Sequence, residues 1–203
     1  MLAQDSYNTA STSVKLSCIP DDTTGLERIM LASQGDLQRL LSTFFARPIH
    51  VERIYANASP RVRPASSQHP ITQSRQVHLL CASRVVCIAT SIVTITSPDS
   101  ERFFLDDKYP IGQTFRQLRR SPQFTLLSVE TPIIRGKREL RRRYTLETEG
   151  FHTEILEVFP DRDMFYRGED WLLDASDAEG IPCSVAEIVK PDWRTVYTGR
   201  VVH

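Results

Sequence analysis

The stretch HTEILEVFPDRD, residues 152–163, decides how this chain is read. It alternates as a β-strand does until Pro160 ends it. Ile155, Glu157 and Phe159 share one face and Glu154, Leu156 and Val158 the other, so a carboxylate lies among apolar side chains whichever face is buried. An unpaired buried carboxylate is costly and asks for a partner or a task. The preceding segment RELRRRYTLETEG, residues 138–150, alternates too, and the pair predicts a hairpin turning near Glu149 and Gly150. Within it Arg141 and Arg143 share one face, while Arg142 lies with Leu140 and Tyr144. One reading of the glutamate is therefore a structural ion pair with one of these arginines. The other is a general acid or base, because burial lifts a carboxyl group toward neutral titration.

Working outward, SRQVHLLCA (74–82) and VVCIATSIVTI (85–95) predict a second hairpin joined by Ser83 and Arg84, and IHVERIYA (49–56) a further strand. NASPRVRPASSQHP (57–70) carries three prolines and predicts a loop. Residues 23–48 are helical in pattern. A second helical segment opens at Gly35 or Asp36, sets Leu37, Leu40, Leu41 and Phe44 at helical spacing, and stops at Pro48. Residues 101–122 read as a loop that becomes a short helix from about Gly112, with Phe115 and Leu118 inward. FTLLSVETPII (124–134) fits a strand or a short helix. Helices first and hairpins afterwards predict an α+β domain, an antiparallel sheet with helices packed on one face. The polar residues 1–25 read as a flexible arm and 26–165 as the domain. Residues 166–203 read as an extension packing on the domain or on a partner, as a lid or an oligomer contact.

The balance of 25 basic and 25 acidic residues gives no bulk charge for nucleic acid or an anionic membrane. The basic run lacks the aromatic platform that single-stranded nucleic acid needs. Residues 1–18 have neither a basic start nor an apolar run, and the most apolar stretch, 85–95, is broken by Thr90, Ser91 and Thr94. A soluble, cytoplasmic protein is expected. The four cysteines, Cys18, Cys81, Cys87 and Cys183, and the five histidines, His50, His69, His78, His152 and His203, show no metal-ligand or triad spacing, so no metal is expected. Arg75 shares its strand face with Val77, Leu79 and Cys81. Such a guanidinium either clamps a carboxylate or carries its head to water along the strand's edge.

Taken in order, GDLQRLLSTFFARPIHVERI, SRQVHLLCA, KYPIGQTF, RRRYTL and LEVFP resemble the chorismate pyruvate-lyase family, over roughly residues 35–160. The resemblance implies a chorismate-lyase-like fold with an internal ligand pocket under flaps. It implies a cofactor-independent lyase that splits chorismate into 4-hydroxybenzoate and pyruvate, or a relative acting on a similar cyclic carboxylic acid in secondary metabolism. Carried over by position, the family's carboxylate-holding arginine falls on Arg75. Its glutamate at the hydroxyl end of the product falls on Glu157 rather than Glu154. The residues of its ligand-covering turn fall on Ile111 and Gly112, and a pocket residue of the first covering helix falls on Leu37. Glu157 and Arg75 are thereby the expected catalytic pair. One departure stands out: Ser91 occupies a position where an arginine is expected. A non-catalytic small-acid-binding protein of the same fold is the alternative.

Overall fold

The computed structural model describes residues 4–7, 10–16 and 19–174. The chain divides into two units, residues 1–173 and 174–203, and the architecture below is that of the first. Two short strands, β1 (Gln4–Tyr7) and β2 (Thr12–Lys15), pair antiparallel where the polar composition predicts a flexible arm. The helices α1 (Gly25–Leu31) and α2 (Leu37–Phe45) follow. Thr24 caps α1 through a reciprocal capping box with Glu27. The apolar spacing of α2 buries Leu37, Leu41 and Phe45, and Ala46 ends the helix in the left-handed region at φ 50°.

Next come β3 (Ile49–Ala58), β4 (Ile71–Cys81) and β5 (Arg84–Ile95). The β4–β5 turn is Ala82–Ser83, one residue earlier than the expected Ser83–Arg84, because the register pairs Cys81 with Arg84. Both turn residues have positive φ, 47° and 69°, as a two-residue hairpin loop demands, at a cost of roughly 1 kcal/mol each for side chains other than glycine.

The segment expected to be a loop before Gly112 is instead a helical turn α3 (Pro98–Glu101) running into a π-helical turn at Arg102–Asp106. Ser97 caps α3 and Pro98 stands at its first position, a start signal missed in the sequence. Then follow α4 (Ile111–Gln117), β6 (Gln123–Glu130), a small hairpin of β7 (Ile133–Ile134) and β8 (Lys137–Arg138), and the long hairpin β9 (Leu140–Thr148) and β10 (Phe151–Phe159). The ambiguous segment 124–134 is thus strand to Glu130 and then opens the small β7–β8 hairpin, and the β9–β10 turn is Glu149–Gly150 as expected.

Six strands form one antiparallel sheet in the order β3-β4-β5-β10-β9-β6. Its inner face carries Val93, Ile95, Leu126, Tyr144, Leu146, Phe151, Ile155 and Phe159, which pack with Leu31, Leu37, Leu41, Phe45 and Phe115 in one core. On β9 and β10 the other face is only half-buried and holds the Arg143–Glu154 ion pair at 3.1 Å. The free thiols Cys81 and Cys87 are buried core groups, while Cys18 and Cys183 lie outside the described residues. After Pro160, α5 (Asp163–Arg167) and α6 (Glu169–Leu173) bury Met164, Phe165 and Trp171. The first part of the expected extension therefore belongs to the core. The expected lid or oligomer contact falls mainly on residues 175–203, outside the described residues. Among the described residues no helix is long and apolar enough to cross a membrane.

A buried ion pair fastens the two ends of this unit. Arg162 donates from Nε and Nη2 to the Glu27 carboxylate at 2.6 and 3.0 Å, and from Nη1 to Asp22 at 2.6 Å. Burial pushes the Glu27 carboxyl up, but the bonds from Arg162 and Thr24 outweigh it, and the net shift is downward. A carboxyl depressed in the folded state contributes stability that is present above its unfolded pKa and is lost as the pH falls through its folded value. Glu27→Gln should therefore lower stability at neutral pH by about 3 kcal/mol, as expected when a buried pair is broken, and flatten the acid side of the stability profile. Urea unfolding from pH 7 down to pH 3 measures both. An acid limb unchanged by the substitution would count against the assignment.

Candidate functional site

Residues that pair directly across an antiparallel sheet point to the same face. The register sets Arg75 opposite Ser91, Ser91 opposite Ile155, and Ile155 opposite Tyr144. The neighbouring row runs Val77, Ala89, Glu157, Arg142. Arg75 and Glu157 thus share the inner face, two strands and one row apart, with Cα atoms roughly 12 Å from each other by sheet spacings. Ala89 and Ser91, the smallest side chains of those rows, lie between them, and Ala89 is only half-buried beside the buried Ser91.

Arg75 receives no hydrogen bond acceptor and no ion-pair partner among the described residues. Its guanidinium lies over the ring of Phe104, 5.6 Å from the centroid. Phe104 is held in turn by edge contact with Phe151 at 5.2 Å, which also meets Phe115 at 5.1 Å. Burial and, secondarily, the charge of Arg53 pull the Arg75 guanidinium below its ordinary pKa. A partly desolvated, unneutralised cation on an apolar face has the chemistry to pair with an anion.

Glu157 is 4% exposed and fully engaged. Its Oε2 accepts from Arg142 Nε at 2.6 Å and its Oε1 from the Tyr144 hydroxyl at 2.8 Å. Arg142, which is completely buried, donates from Nη1 to the carbonyls of Leu31 and Ser33 at 2.7 and 2.9 Å and from Nη2 to Ser33 Oγ at 2.7 Å. Burial and the Glu157 charge push the Tyr144 hydroxyl well above its usual pKa, so it stays a donor. The ion pair weighed from the sequence is present, through Arg142, and Glu157 within it acts as an acceptor. Glu154 sits on the opposite face with Arg143.

Arg142 also positions the covering elements. By binding the chain between α1 and α2 it brings Gly35, at φ +88°, over Leu146, where a Cβ would lie 3.3 Å from Leu146 Cδ1. Gly112 then approaches so closely that a Cβ on it would lie 2.5 Å from the Gly35 carbonyl oxygen. This backbone contact joins the starts of α2 and α4. Leu37 is buried in the core and Ile111 packs half-buried against it. The three expected positions around Arg75 and Glu157, Leu37, Ile111 and Gly112, therefore lie above one sheet face.

Two clefts open elsewhere. One, of about 450 Å³, lies at the sheet end between Thr94, Gln123, Glu147 and His152; the other, of about 600 Å³, lies between Arg61, Arg63, Glu101 and Asp106. Neither is lined by Arg75 or Glu157. Among the described residues no group of three or more His, Cys, Asp or Glu side chains is arranged to hold a metal ion. Sequence reasoning offered Arg142 only as one of three candidate partners of Glu157, and it singled out neither Tyr144 nor Ser33, the residue that in turn binds Arg142. The only signal was the parity that puts Arg142, alone of the three arginines, on the face of Leu140 and Tyr144. No family model matches the chain, and no curated protein matches it.

The Arg142–Glu157 pair should behave as one unit. Arg142→Met or Glu157→Leu alone strands a buried partner and is expected to lose about 3–5 kcal/mol, whereas the double variant should lose clearly less than the sum. Urea denaturation of the four proteins gives the coupling directly, and strictly additive losses would argue against the pair.

Proposed function

We propose that the inner sheet face binds a small cyclic carboxylic acid, and that the protein is a lyase of the chorismate pyruvate-lyase type, removing the enolpyruvyl group of chorismate or of a similar ether. The observation that carries the reading is the unneutralised guanidinium of Arg75 on the same face as Glu157, with the small residues Ala89 and Ser91 between them. A ring lying across Ala89 and Ser91 would put its carboxylate on Arg75 and a polar substituent at the Glu157–Tyr144 pair. Leu37, Ile111 and Gly112 would close over it, the backbone contact of Gly112 with Gly35 keeping that cover tight.

The reaction aromatises the ring. The C3–O bond to the enolpyruvyl group breaks, the C4 proton leaves, and a proton is gained by the departing methylene carbon, giving 4-hydroxybenzoate and pyruvate. Arg75 supplies orientation, which is worth most when the reacting groups are held in a dry, fixed geometry. Glu157, as acceptor, would hold the C4 hydroxyl. Its bonds to Arg142 and Tyr144 leave each carboxylate oxygen with a further lone pair for that purpose.

The engagement of both Glu157 oxygens by its own neighbours specifically favours a second reading, a non-catalytic binder of the same acids. Incubation of the purified protein with chorismate, followed by chromatography of 4-hydroxybenzoate and pyruvate, separates the two. The lyase reading expects both products in equal amounts. No product with retained 4-hydroxybenzoate binding supports the binder. Arg75→Ala should weaken 4-hydroxybenzoate by about 10- to 100-fold in calorimetric titration, the loss expected for charge-assisted hydrogen bonds. Unchanged affinity would move the acid elsewhere.

A further inference from the structure

A second cation faces the same way as Arg75. Strand β3 is the sheet's edge, and its register shifts between Arg53 and Tyr55: Arg53 pairs with Val77, Tyr55 with Gln76, and Ala56 with Arg75. Ile54 is the inserted residue of a bulge. Strict alternation would put Arg53 and Ala56 on opposite faces; the bulge puts both on the inner one. Arg53 is thus the diagonal neighbour of Arg75, at about 7–8 Å by ordinary cross-strand geometry. It is exposed, and among the described residues it has neither an ion-pair partner nor a hydrogen-bond acceptor. The proximity is felt electrostatically, since the Arg53 charge adds to burial in depressing Arg75.

Two like charges placed side by side without a protein anion oppose folding and favour a bound dianion. One carboxylate satisfies Arg75, and its neighbour's charge remains. The expected second arginine on β5 is Ser91, a buried residue without charge. We propose that Arg53 and Arg75 form a two-point clamp for a cyclic dicarboxylate, with Arg75 holding the inner carboxylate and Arg53 the one at the open edge of the sheet. The clamp rests on the reading that the inner face binds a cyclic acid, and makes Arg53 a residue that selects dicarboxylates over monocarboxylates.

Calorimetric titration with isophthalate and benzoate, which share a ring and differ by one carboxylate, tests this on the full chain and on Arg53→Gln and Arg75→Gln. The wild-type protein should bind isophthalate about ten-fold or more tightly than benzoate, as one charge-assisted contact allows. Arg53→Gln should abolish that preference, weakening isophthalate about ten-fold or more and benzoate far less, whereas Arg75→Gln should weaken both ligands. Because Arg53 is exposed, its substitution leaves the core intact, which a circular dichroism melt checks. A wild-type protein with no preference for isophthalate, or an Arg53→Gln protein that keeps the preference, overturns the clamp. If benzoate binding still depends on Arg75 in that case, the cyclic-acid site stands without it. If neither ligand binds the wild-type protein, both readings fall.

Discussion

A guanidinium with no exposure must be surrounded by acceptors before a chain can close over it, and Arg142 draws them from two parts of the sequence more than a hundred residues apart. Glu157 comes from the next strand, Leu31 from the end of α1, and Ser33 from the linker that follows. Removing a charged group from water costs several kcal/mol unless its donors are met. The linker between α1 and α2 is therefore bound to the sheet by polar bonds as well as by apolar packing. Two of the elements that cover the inner face adjoin that attachment: α2 begins beyond it, and the Gly35 carbonyl against which α4 lies belongs to the same linker.

The same face holds arginines treated in opposite ways. Arg142 has its donors met by the protein itself, and Arg75 is left with an aromatic ring and a neighbouring cation. A fold that satisfies one buried guanidinium so fully has the means to satisfy another. The contrast marks Arg75, half-buried where Arg142 is fully buried, as a guanidinium on this face whose donors the described residues leave unmet.

Much of this was legible in the residues because strand parity is a strict rule. Parity alone put Arg142 with Tyr144, Arg75 with Val77, and Glu154 opposite to Glu157, and hairpins followed from apolar alternation around Glu149–Gly150. The α+β class was equally readable, though not the β1–β2 pair that precedes the helices. What parity cannot supply is which strand lies beside which: β5 pairs with β10 across a long interval of sequence, and only that pairing sets Ala89 between Arg75 and Glu157. The turns misled for a local reason. Ala82 and Ser83 take left-handed conformations that their side chains do not advertise. The helical start at Ser97–Pro98 was hidden by the charged, aromatic run behind it, which winds into a wider π turn rather than a periodic helix. Arg162 and Glu27 escaped notice because they stand more than a hundred residues apart and each looks like an ordinary surface charge.

The bulge at Ile54 has a bearing on how the molecule meets its own copies. Strand β3 is ten residues long and pairs with no second strand along the sheet's rim among the described residues, leaving a template on which another extended chain could add itself. An inserted residue breaks the even spacing of the backbone groups and twists the strand locally, so an incoming partner finds register on one side of Ile54 or the other but not across both. The single residue that turns Arg53 inward also shortens the usable rim to two fragments, each poorer as a seed for edge-to-edge aggregation than the whole strand would be.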